Sequence, residues 1–142
     1  MADKKTLITT LISQHRILQK DAKLILEISS GDKTKTTVIR TNLDKFTKDL
    51  IEHLKLENDV FYVELLKEMK KKGQDTTKTE MFIAEMKGIE KAVLAFLDKY
   101  KDVKSIEAGM AEFHSEFEGI GETLNLRIET EEAGVYAYWG LF

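Results

Sequence analysis

With 142 residues, of which 42% are hydrophobic and 33% charged, the chain has the size and make-up of one globular domain spanning 1–142, which excludes a disordered chain. A formal net charge of −3 and the lack of a basic stripe argue against a nucleic-acid partner; Lys70-Lys71-Lys72 reads as a cationic helix end. The absence of cysteine excludes disulfides and thiolate chemistry, the absence of proline permits long helices, and Thr6 to Ile12 is too short and polar for a signal peptide or membrane span, which points to the cytoplasm.

Four segments carry apolar residues at alternating spacings of three and four, the pattern of a helix with one buried stripe. The first runs from about Lys4 to Ser29 with Ile8, Leu11, His15, Leu18, Ala22 and Ile25 inward, and Ser29-Ser30-Gly31-Asp32 closes it as a turn. The second runs from about Thr36 to Lys72 with Ile39, Leu43, Phe46, Leu50, His53, Glu57, Val60 and Phe61 on one side, and Gly73-Gln74-Asp75 ends it. Thr77 to Glu80 has the form of a capping box opening the third, whose stripe is Phe82, Met86, Ile89, Val93, Phe96 and Tyr100. Past the charged connection Lys99–Lys104, the fourth runs from about Ser105 to Trp139 and turns Ile106, Met110, Phe113, Phe117, Ile120, Leu124, Arg127, Glu131 and Tyr138 inward. Short connections imply antiparallel neighbours, hence an all-α, up-and-down four-helix bundle. Gly88, Gly109, Gly119, Gly121 and Gly134 fall inside these helices, where close packing explains them; Gly134, one turn beyond Glu131, also reads as room for a small ligand.

Five stripe positions are polar: His15, His53, Glu57, Arg127 and Glu131. Burying an ionisable group alone costs several kcal/mol, so these residues must meet one another or a ligand. The pairs 53/57 and 127/131 lie ~40° apart around their helices and ~6 Å along them, so each pair converges on one point. Two imidazoles and two carboxylates at one depth suit a divalent metal; hydrogen-bonded core residues are the plainer alternative. His114 points toward solvent or a helix edge.

The segment Glu52-His53-Leu54-Lys55-Leu56-Glu57-Asn58-Asp59-Val60-Phe61-Tyr62 resembles the second-helix motif of the hemerythrin-like, HHE cation-binding family. Gln14-His15-Arg16-Ile17-Leu18 resembles its first-helix histidine, and Leu126 to Tyr136 its fourth-helix motif. The resemblance implies a non-haem iron protein, mononuclear or an atypical di-iron one, with His15, His53, Glu57 and Glu131 as metal ligands. It further implies binding of dioxygen or another small ligand, sensing of oxygen or iron, or handling of peroxide. Two positions depart from the motif: Arg127 stands where a histidine is expected, and Glu85-Met86, with Glu90 a turn on, where the third helix should supply another.

Two functions follow. In one, the reduced ligand set, with Glu90 as a further candidate, holds iron. In the other there is no cofactor: Arg127 neutralises Glu57 and Glu131 in the metal's place, and a pseudo-hemerythrin bundle acts through its surface as a regulatory protein-interaction module, as the metal-free anti-sigma bundles of bacteria do. No phosphate loop or nucleophile motif signals an enzyme. The apolar tail Tyr136, Tyr138, Trp139, Leu141 and Phe142 either covers the bundle end or contacts a partner or second copy.

Overall fold

A computed structural model describes residues 4–30 and 35–140. They are helical almost throughout, with no strand among them: α1 (Lys4–Ser29), α2 (Thr36–Leu56), a π-helical turn (Glu57–Phe61), α3 (Tyr62–Lys71), α4 (Thr77–Lys99), α5 (Val103–Ala108), α6 (Met110–Ala133) and α7 (Val135–Gly140). Gly31 and Asp32 of the first expected turn, and Leu141 and Phe142 of the tail, lie outside the described residues.

The expected second helix is continuous from Thr36 to Lys71 but contains the π turn, and the expected fourth is broken at Gly109 and Gly134. Gly73 ends α3 at φ +70°, with its N–H bonded to Lys70 O and that of Gln74 to Met69 O, the paired bonds of a Schellman end. The expected capping box does not form. Asp75 Oδ1, two residues upstream of Thr77, accepts from both the Thr77 N–H at 3.0 Å and its hydroxyl at 2.7 Å, while the Glu80 N–H bonds to Thr76 O.

α1 packs along α2 in the opposite sense, since Gln14 meets His53 at one end of the contact and Asp21 meets Lys45 further along. α1 also packs on α6, where Gln19 meets Asn125. The apolar residues gather in two clusters. One contains Leu18, Ile25, Leu43, Phe46, Leu50, Phe96, Phe113, Phe117, Leu124 and Ile128; the other contains Leu7, Leu11, Phe61, Leu65, Met69, Ile83, Tyr136 and Trp139. In α1, the α2–α3 helix and α6–α7, the chain passes from one cluster to the other through the polar stripe positions, so His15, His53, Glu57, Arg127 and Glu131 form a layer between two apolar halves.

Candidate functional site

The α2–α3 helix and the α6–α7 pair deliver side chains to this layer with the same spacing: His53, Glu57 and Tyr62 from one, Arg127, Glu131 and Tyr136 from the other. On a regular α-helix a residue five places on points ~140° away from its starting direction. The π turn inserts a residue between Glu57 and Tyr62, and the Gly134 break falls between Glu131 and Tyr136, so both tyrosines are buried beside the carboxylates. Their hydroxyls cross over: Tyr62 donates to Glu131 Oε2 at 2.6 Å and Tyr136 to Glu57 Oε2 at 2.6 Å.

Arg127 lies in the same layer. Its Nη2 donates to Glu57 Oε1 at 2.5 Å, its Nη1 to the Met86 carbonyl at 3.3 Å, and its Nε sits 3.5 Å from Glu131 Oε2. The carboxylates Glu57 and Glu131 are fully buried and Arg127 is 4% exposed, so the pair is screened from water and strong in both attraction and desolvation.

The histidines complete the network. His53 Nδ1 lies 2.7 Å from Gln14 Oε1, an acceptor, so that nitrogen carries a hydrogen. His15 Nδ1 faces the Glu132 carboxylate at 2.8 Å and carries one too; Arg16 holds the other oxygen of Glu132 at 2.5 Å. The two Nε2 atoms meet at 3.1 Å, and His15 Nε2 also approaches Glu131 Oε1 at 3.2 Å. That oxygen has no well-aligned donor.

Burial lowers the His53 pKa more than Glu57 raises it. Burial alone would raise Glu57, but hydrogen bonds from His53 and Glu131 and the charges of His53 and Arg127 outweigh it and hold the carboxyl far below its usual range. Glu131 is pushed up to about 7, first by burial and then by the neighbouring Glu57 charge. Burial beside two carboxylates also raises both tyrosines, so their hydroxyls stay protonated as donors. Glu131 thus keeps its proton close to neutral pH, while Glu57 remains ionised beside Arg127.

The four residues expected to converge do so: one donor atom from each of His15, His53, Glu57 and Glu131 lies within 4.8 Å of the others. Both oxygens of Glu57 are nevertheless taken, by Arg127 and Tyr136, and Glu131 Oε2 is taken by Tyr62. A metal ion would have to strip those donors and sit beside a guanidinium, so the set fits internal neutralisation rather than ligation. Glu90 is elsewhere, accepting from Asn58 Nδ2 at 3.1 Å, and His114 bonds to Ser29 Oγ at 2.7 Å. Tyr62, Tyr136, Gln14 and Glu132 were missed by the stripe pattern; the repeated spacing of 53/57/62 and 127/131/136 was the signal for the two tyrosines.

The model of a family described as "Regulator of RNA polymerase sigma(70) subunit, Rsd/AlgQ" matches residues 1–136. The chain belongs to the Rsd/AlgQ family. No curated protein and no solved structure matches it. Membership in Rsd/AlgQ overturns the hemerythrin-like assignment and, with it, the iron, dioxygen and peroxide roles which that resemblance implied. The likeness misled for a physical reason. Carboxylates buried between helices need positive partners at helical spacing, and a His or Arg four residues before a Glu meets that need as well as it meets a metal's. Among the described residues no helix is long and apolar enough to cross a membrane.

Proposed function

We propose that this chain is a regulatory protein-interaction module whose partner is a sigma(70)-type subunit of RNA polymerase. The observation that carries this reading is the Rsd/AlgQ match over 1–136. The polar layer supports it: with Glu57 and Arg127 neutralising each other in the interior, the layer serves as a structural element that fixes how the helices sit, and the action lies on the surface. In this reading residues 1–142 form one cytoplasmic domain with an up-and-down four-rod plan. The rods are α1, the continuous α2–α3 helix, α4, and the interrupted α5–α6–α7 run.

The test is direct. Purified chain mixed with a purified sigma(70)-type subunit should give a stoichiometric complex by size-exclusion chromatography with light scattering, and should inhibit or redirect transcription from a sigma(70) promoter. Two separate peaks at tens of micromolar of each protein would sink the proposal.

A further inference from the structure

Hydrogen-bond donors run short at the centre of the polar layer. His53 Nδ1 gives its hydrogen to Gln14 Oε1 and His15 Nδ1 gives its own to Glu132, so in the neutral rings both Nε2 atoms are bare acceptors. Those nitrogens lie 3.1 Å apart, and a third acceptor, Glu131 Oε1, is 3.2 Å from His15 Nε2 and has no hydrogen-bond partner. The neighbouring donors are committed elsewhere. Tyr62 donates to Glu131 Oε2, and Arg127 to Glu57 Oε1 and the Met86 carbonyl. Tyr136, 3.3 Å from His15 Nε2, gives its one hydrogen to Glu57 Oε2 at 2.6 Å. A proton on Glu131 relieves part of the deficit, since its hydrogen serves one Nε2 atom and leaves the other facing a lone pair. Buried acceptors without hydrogens are costly, and native structures bring a donor to them.

The space for such a donor adjoins them. A cavity of about 10 Å³ borders the side chains of His15, His53 and Glu131, and Leu18, Leu50, Leu124 and Ile128 line its apolar side. All of these residues are buried. One water molecule requires roughly 10–15 Å³ of this kind and a few polar partners. An anion there would add a fourth acceptor, and a cation would face the Arg127 guanidinium, whose Nε is 3.5 Å from the other oxygen of Glu131. A neutral molecule with two hydrogens to donate matches the deficit, and a single water matches the volume.

We propose that this cavity is the binding site of one structural water, which donates to Glu131 Oε1 and to His53 Nε2. When Glu131 is protonated, its own hydrogen goes to His15 Nε2 and all three acceptors are satisfied. The water joins α6 to α2 inside the bundle and holds both imidazoles in the form that carries hydrogen on Nδ1. The site does not depend on the sigma-subunit reading.

Measurements on the full chain test it. A crystal structure at about 1.2 Å should show one density peak in the cavity, about 2.7–3.2 Å from Glu131 Oε1 and His53 Nε2. Nitrogen-15 NMR near neutral pH should show both His15 and His53 with hydrogen on Nδ1 and a bare Nε2. His53→Phe removes one acceptor and fills the space; it should lose one long-lived internal water, counted by oxygen-17 relaxation dispersion, with the far-ultraviolet circular dichroism unchanged. A cavity without density in the wild type overturns the proposal, as does a metal ion at that peak, identified by anomalous scattering. So does His53 with its hydrogen on Nε2, or an imidazolium at either position, because a direct bond between the rings then replaces the water. An unchanged water count in folded His53→Phe also overturns it, and if that variant does not fold the two wild-type measurements decide.

Discussion

At the scale of single residues, Arg127 decides the chemistry of the interior. Its guanidinium takes the place between Glu57 and Glu131 that sequence spacing left open, and its charge adds to the hydrogen bonds from His53 and Glu131 that keep Glu57 ionised in a fully buried position. Removing it strands a carboxylate. Arg127→Met should therefore cost about 3–5 kcal/mol in urea unfolding, and adding Glu57→Gln should recover part of that loss by removing the stranded charge. The crossed tyrosines give a finer test. Tyr62→Phe and Tyr136→Phe each delete one hydroxyl that donates to a buried carboxylate, and each should cost about 1.5–3 kcal/mol. Equal stability of either variant and the wild type would show that the hydroxyl contributes nothing.

At the scale of elements, the irregular turns place the site. The π turn and the Gly134 break bring Tyr62 and Tyr136 back to their carboxylates, and both lie between a Glu and the Tyr five residues on. Glycine substitutions separate this role from ordinary helix propensity. Gly134→Ala pushes a Cβ against backbone at Thr130 and should destabilise by about 1–3 kcal/mol. Trp139 is the sole tryptophan and is 3% exposed in α7, so its emission should shift to the red in that variant. Gly88 has open space around its added Cβ in the middle of α4, and Gly88→Ala should instead stabilise by up to ~1 kcal/mol. The same exchange thus changes sign with its backbone setting.

At the scale of the whole molecule, the polar layer links folding to pH. Glu131 holds its proton up to about 7 when folded, against an ordinary value of 4.5. Between those values the folded state binds more protons than the unfolded one, so this group's contribution falls as pH rises. His53 acts oppositely: lowered below 6.5, it contributes stability that is lost as pH falls through its folded value. The two slopes cancel in part. Subtracting the unfolding free energy of Glu131→Gln from that of the wild type isolates the first. That difference should fall from about pH 5 to about pH 7, by up to about 3 kcal/mol, and a flat difference would show that Glu131 keeps its ordinary pKa. On the proposed function a sigma subunit binds the surface, and that binding should persist in Tyr62→Phe wherever the variant remains folded.

The apolar spacing of three and four by itself determined that the chain is helical, where the long helices run, and that His15, His53, Glu57, Arg127 and Glu131 face inward, because one side of each helix is buried; at the stripe's margin it was off by a position, since Ile8, Phe82 and Tyr138 are half-buried where Leu7, Ile83 and Trp139 are buried. The helix interruptions were hidden from that reading. A π turn leaves the composition of a stripe intact, and a glycine reads alike whether it breaks a helix, as at Gly134, or sits in open space, as at Gly88. Only the tertiary structure decided who partners whom: that Tyr136, read as part of an apolar tail, bonds to Glu57 across the layer, and that Glu90 turns to Asn58. Spacing along one helix fixes direction and height, but the choice between a metal ion and a guanidinium for two buried carboxylates depends on which side chains arrive from the helices opposite.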